Sequence, residues 1–155
     1  MTVLTGQEVV SAIATQLRSR FSEQEFAKIY KDKPVQSMVT PCAFIHSVET
    51  SHTADIGNYA WWNETIDIRC HPGKMRTDVS TWARTLGPMI VNCVERISIS
   101  GQQVKAFNMR WRVEDNVLHV YGSYKYRVKR MTEQEVLMQT LKYGQTIKQS
   151  IIINN

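Results

Sequence analysis

The sequence predicts an α+β fold: a mainly antiparallel sheet of four to six strands, two helices packed on one face, and a C-terminal β-hairpin or extended tail. Three observations lead there. Two stretches place apolar residues at helical spacing. Several others alternate apolar and polar residues with period two, as half-buried strands do. The runs are mostly joined by short connections, which suit antiparallel neighbours. At 155 residues one main domain is expected, over 1–130, with a C-terminal extension over 131–155.

The first helix opens on Thr5 and Glu8, at capping-box spacing, with Leu4 and Val9 placed for a hydrophobic staple. Val9, Val10, Ile13, Leu17 and Phe21 then form one apolar stripe, so the helix should run to about Phe21 or Ser22. A short strand follows near Lys28–Lys31, ended by Asp32-Lys33-Pro34. Cys42 to Thr50 reads as a central strand, and polar Ser51 to Asn58 as a loop. Tyr59 to Cys70 is the next strand. Its face of Ala60, Trp62, Ile66, Ile68 and Cys70 is broken only by Glu64.

His71-Pro72-Gly73 marks a turn. The second helix starts near Thr77 or Asp78, and Val79, Trp82, Ala83, Leu86, Ile90, Cys93 and Val94 carry its stripe to about Glu95. Gly87-Pro88 interrupts it, but the periodicity continues, so one kinked helix is expected. Ile97 and Ile99 make a short strand ended by Gly101.

Residues 106–130 form the most informative stretch. Phe107, Met109, Trp111 and Val113 alternate with polar residues, and so do Leu118, Val120, Tyr124, Tyr126 and Val128. Setting Val113 opposite Leu118 leaves a four-residue loop, Glu114 to Val117. That register also faces Trp111 with Val120, Met109 with Gly122 and Phe107 with Tyr124, and it gathers the apolar residues on one face. The other face then carries Arg110, Arg112, Lys125, Arg127 and Lys129. Net charge is +5, and residues 96–130 alone contribute +6. Such a face suits an acidic protein surface or nucleic acid; a merely solvated face is the plain alternative.

The C-terminal segment reads as a hairpin, with strands near Val136–Lys142 and Gln145–Ser150. Ile151, Ile152 and Ile153 are apolar with little chain left to cover them, so they either pair with a neighbouring subunit or dock on their own domain.

Little in the chain resembles catalysis. Phosphate-binding glycine loops and nucleophile elbows are missing, and no cofactor or metal is expected. His46, His52, His71 and His119 are scattered. Glu64 is the oddest polar residue; a buried carboxylate can act as an acid, but pairing with a basic neighbour or solvation at a strand edge is the commoner reason. Cys70 and His71 are adjacent strand residues and point to opposite faces, a poor dyad. Three cysteines without a close pair suit a reducing compartment. There is no signal peptide and no apolar run of membrane-spanning length, so no membrane partner is expected. Trp61-Trp62 places one indole inward, Trp62, and one outward, Trp61. The outward indole is either covered by the second helix or free to anchor a partner.

The motifs together carry a resemblance. A capped N-terminal helix precedes Pro-Cys-Ala-Phe-Ile at 41–45 and the Tyr59–Arg69 strand with its Trp-Trp-x-Glu-Thr-Ile-Asp-Ile-Arg run. The Asn108–Val128 hairpin follows, and then Met-Gln-Thr-Leu-Lys-Tyr-Gly-Gln-Thr-Ile-Lys at Met138–Lys148. Nearly the whole chain resembles the tail terminator family of contractile-tailed phages and phage-tail-like particles of Gram-positive bacteria, departing from it at Gly87-Pro88. The resemblance implies a structural virion protein, not an enzyme. It implies a homo-oligomer, a hexameric ring, that caps the tail tube, stops tube and sheath polymerisation and meets the neck or head-joining protein. The expected partners are tube, sheath and neck proteins, with transient DNA contact in the lumen. The expected location is the virion tail, assembled in the host bacterial cytoplasm.

The interface residues expected on this reading are Arg110, Arg112, Lys125, Arg127, Lys129, Trp61, Ile151, Ile152 and Ile153. Glu23, Glu25, Asp32, Asp55 and Asp67 are the acidic residues expected to meet the basic face across a subunit boundary. The rival reading is a small nucleic-acid-binding module using the same basic face of the 106–130 hairpin.

Overall fold

The computed structural model describes residues 6–31 and 36–130. Helix α1 (Gly6–Arg20) buries Val9, Val10, Ile13, Ala14 and Leu17 along one stripe. The helix closes where the Phe21 amide donates to the Leu17 carbonyl at 2.9 Å. The Arg18 guanidinium then holds the Phe26 carbonyl at 3.1 and 3.2 Å, fixing the turn into the first strand. Leu4 and Thr5, the proposed staple and cap, lie outside the described residues.

The strands are β1 (Lys28–Lys31), β2 (Cys42–Ala54), β3 (Tyr59–His71), β4 (Arg96–Ile99), β5 (Gln102–Glu114) and β6 (Val117–Lys129). Helix α2 (Val79–Val94) lies between β3 and β4. They form one six-stranded sheet in the order β1-β2-β3-β6-β5-β4. Four pairings are antiparallel, and β1 with β2 is parallel. The expected loop at 51–58 is shorter than its polarity suggested. β2 runs on to Ala54, since cross-strand pairing with β3 outweighs the low strand preference of a polar stretch. β2 is also second from the edge rather than central.

Both helices cover the same face of the sheet. The side chains of α1 and α2 and the inward residues of β2, β3, β4 and β6 join in one core cluster. Directional bonds lock the layers together. The Tyr124 hydroxyl donates to the Val94 carbonyl at 2.7 Å, and Gln16 Nε2 donates to the Arg96 carbonyl at 3.1 Å. The expected second helix is continuous through Gly87-Pro88, and the glycine has a packing reason. A Cβ at Gly87 would stand 2.7 Å from the Trp111 indole, closer than real contacts allow. Gly87 is therefore the notch that lets the β5 tryptophan seat under α2. Asp78 precedes this helix without a side-chain capping bond.

The hairpin register holds at its turn end and fails at the other. Val113 faces Leu118 and Trp111 faces Val120. The loop tightens to two residues, Asp115 and Asn116, at φ 52° and 61°, because Glu114 pairs with Val117. Positive φ at both central positions is the twist-matched hairpin geometry, and Asp and Asn tolerate it. Further along, a bulge at Asn108 (φ 54°) shifts the register. Phe107 then pairs with Ser123 and turns outward, 39% exposed, while Ala106 takes the place opposite Tyr124. Met109 explains the bulge: its sulfur fills the space above Gly122, where any Cβ would collide with it.

Glu64 is fully buried on the inward face. Among the described residues no basic side chain pairs with it, and β3 is an interior strand, so neither explanation expected from sequence applies there. Neutral hydroxyls satisfy it instead: Tyr126 donates at 3.0 Å and Ser47 at 3.2 Å. Burial pushes its carboxyl above the usual range, partly offset by those two bonds; the nearby Glu8 raises it further and His52 lowers it slightly. The hairpin expected over the C-terminal segment and Ile151–Ile153 lie outside the described residues.

Two outcomes follow. Gly87→Ala should destabilise the fold by about 1–3 kcal/mol through overpacking. The loss should be less than additive with Trp111→Leu in denaturant unfolding, because the two residues share one contact. For Glu64 the native carboxyl titrates above the unfolded one. The neutral form's contribution is complete below the unfolded value and is lost as pH rises through the native one. Glu64→Gln should therefore flatten the fall in stability as pH rises above the ordinary carboxylate range, read by thermal melts of both proteins.

Candidate functional site

The face of the sheet away from the helices carries the residues singled out from sequence. On β3 it presents Tyr59, Trp61, Asn63, Thr65, Asp67 and Arg69. On β6 it presents His119, Tyr121, Ser123, Lys125, Arg127 and Lys129, and on β5 Arg110, Arg112 and Glu114. Trp61 is 36% exposed on this open side, so α2 does not cover it. The structure thus gathers Trp61, Arg110, Arg112, Lys125, Arg127 and Lys129 on one surface.

Cross-strand offsets stack the cations on aromatic rings. Arg127 sits directly opposite Trp61 yet leans diagonally over Tyr59, 4.1 Å from the ring centroid. Lys125 does the same over Trp61 at 5.3 Å. Arg110 and Arg112 both lie against Tyr121, at 4.9 and 5.3 Å, and Arg112 also donates to the Tyr121 hydroxyl at 3.2 Å. The negative ring face attracts each cation and restricts its rotamers, so these long side chains are held in place before any partner arrives.

Carboxylates hold several of the same charges. Arg127 pairs with Asp55 at 2.7 Å, Arg112 with Glu114 at 3.0 Å and Arg69 with Asp67 at 2.9 Å. Asp67 is 2% exposed and also meets His119 Nδ1 at 3.1 Å. Two of the acids expected to reach across a subunit boundary, Asp55 and Asp67, are therefore engaged within the chain. Asp55 is held below the usual carboxylate range by the Ile56 amide first and by Arg127 second. Glu25 accepts the Ser22 amide at 2.9 Å, and Asp32 lies outside the described residues.

The sequence reading missed the Asp67–Arg69–His119 group and the Tyr59 and Asp55 partners of Arg127. Only the outward phase of β3 hinted at them. Each contact joins residues more than fifty positions apart, apart from Arg69 with Asp67, and depends on the β3–β6 register.

Cys70 is fully buried and faces the helices, and desolvation pushes its thiol far above the ordinary value. His71, on the opposite side of the strand, is shifted down by burial first and then by His119 and Arg69. No group of three or more His, Cys, Asp or Glu suited to a metal occurs among the described residues. No helix among them is long and apolar enough to cross a membrane.

Comparison with known proteins adds the family. No curated protein matches the chain. One similar solved structure is 16% identical over 84% of this chain and all of its own, at a TM-score of 0.31, too low to carry an argument. The family model described as phage tail terminator protein matches residues 8–136, which span the whole sheet, α2 and all but the first two residues of α1. The chain belongs to the phage tail terminator family, a family of structural proteins of the virion tail.

Proposed function

We propose that this protein caps the completed tail tube as a ring, a hexamer in the first instance. It stops tube and sheath polymerisation and presents the tail side to the neck or head-joining protein. The particle is a contractile phage tail or a related tail-like device, put together in the host bacterial cytoplasm. The family match over 8–136 carries this reading. The open face supplies its physical means: an ordered surface of cations braced on Tyr59, Trp61 and Tyr121, free of the helices. A tube end or a neighbouring subunit with acidic groups fits it, because prearranged charges lose little rotamer freedom on docking. Arg110, Arg112, Lys125, Arg127, Lys129 and Trp61 are the residues proposed to make that contact.

Cations stacked on aromatics also occur in single-strand nucleic-acid binders. Here Asp55, Glu114 and Asp67 neutralise three of the basic residues locally, which weakens that reading. Passing DNA then touches the face only transiently.

Changing Arg112, Lys125 and Arg127 together to Glu should reduce capping of purified tail tubes by roughly tenfold or more, equivalent to about 1.4 kcal/mol of contact free energy. Tubes capped normally by that variant, in negative-stain images, would refute the docking face. DNA affinity of the unaltered protein should fall with salt at a slope shallower than about −2 on logarithmic axes. A steep slope would favour the nucleic-acid module.

A further inference from the structure

Among the described residues the two outer long strands of the sheet, β2 and β5, are each only partly paired on their outer edge. β1 covers the outer edge of β2 only from Cys42 to Ile45. From Ser47 to Ala54 no described residue pairs with that edge, and Val48 to Ala54 are all exposed. At the opposite side β4 covers β5 only from Gln102 to Lys105. The same edge is unpaired from Phe107 to Glu114 among the described residues. Unpaired backbone amides and carbonyls along a strand are a template for another strand.

We propose that copies of this chain join edge to edge, with Phe107–Glu114 of one copy lying antiparallel to Ser47–Thr53 of the next. This deepens the ring reading and rests on it. Strand direction permits the joint: β2, β3, β6 and β5 alternate, so β5 runs opposite to the β2 of a copy set beside it. The faces match as well. Arg110 and Arg112 share the open side with Glu49, Ser51 and Thr53, as the pairings of those residues with β3 and β6 show. Placing Arg112 opposite Glu49 sets Arg110 opposite Ser51, one diagonal from the same carboxylate. Arg110 has no carboxylate partner, and Glu49 no cationic one, among the described residues.

The short strands act as shoulders. In this register the β1 of the next copy begins beyond Glu114, where β5 ends. The β2 of the next copy stops at Ala54, opposite Ala106, one step before Lys105, where β4 begins. Neither short strand obstructs the joint, and together they limit its sliding.

The offset also suits closure. Glu49 is level with Thr65 in its own sheet, and Arg112 is level with Arg69, four positions along β3. Successive copies are thus staggered by about 13 Å over four strands spanning about 19 Å. Strands tilted by roughly 35° to a ring axis absorb that stagger, within the range that closed sheets adopt. The contact uses two different surfaces, as ring-forming interfaces do. The bulges at Val48 and Asn108 disturb each edge in the free protein and discourage indiscriminate pairing.

Cysteine cross-linking tests the joint. The chain carrying both Glu49→Cys and Arg112→Cys, oxidised under assembly conditions, should give a ladder of covalent multimers on denaturing gels. Each single variant, and the unaltered chain with its three native cysteines, should stay monomeric on the gel. Rings in negative stain without a ladder would overturn the edge joint and leave the ring reading intact. A protein that never self-associates, alone or with tail tubes, would overturn both.

Discussion

The antiparallel pairing of β3 with β6, twelve residues in unbroken register from Tyr59–Lys129 to Cys70–Leu118, is the constraint on which the rest depends. Side chains alternate along both strands, so this one register decides two surfaces at once. Ala60, Ile66, Ile68, Cys70, Leu118, Val120, Tyr124, Tyr126 and Val128 go under the helices. Tyr59, Trp61, Asp67, His119, Tyr121, Lys125, Arg127 and Lys129 go to the other side. A slip of one residue would bury the cations and expose the core, at a cost far above the stability of a domain this size. The face proposed to dock is thus held by the same contacts that hold the fold.

That face is better described as braced than as highly charged. Isolated exposed ion pairs contribute little to stability. The pairs here share partners: Arg112 meets Glu114 and Tyr121, and Arg127 meets Asp55 and Tyr59. Their effect is to set the positions of long side chains rather than to strengthen the domain. Positioned cations suit a structural joint, where geometry repeated from subunit to subunit matters more than field strength. The same local neutralisation reduces the long-range attraction that nucleic-acid binding relies on.

Two of the places where local pattern misled have a common cause. Phe107 looked inward by strict alternation, but a single residue at positive φ, Asn108, reversed its phase so that Met109 could fill the space left by Gly122. The polar stretch at 51–54 looked like a loop, yet β3 alongside supplied the backbone partners that made it strand. In each case a neighbouring strand overrode the preference of the segment itself. Gly87-Pro88 is the converse. It looked like an interruption of a helix, and across the layers it is the notch for Trp111.

From its own residues the chain determined its elements: helical stripes, alternating strands, the hairpin turn and the segregation of basic residues to one side of 106–130. These are local properties, written in the spacing of apolar and polar groups along a few turns or pleats. The motifs also sufficed to place the chain in its family. The tertiary structure alone decided the strand order, the parallel β1, the hydroxyl partners of buried Glu64, the acids that neutralise the basic face and how far β1 and β4 cover their neighbours. Those features depend on which strands become neighbours and at what offset. The offset is set by packing summed over the whole core, and no short stretch of sequence contains it.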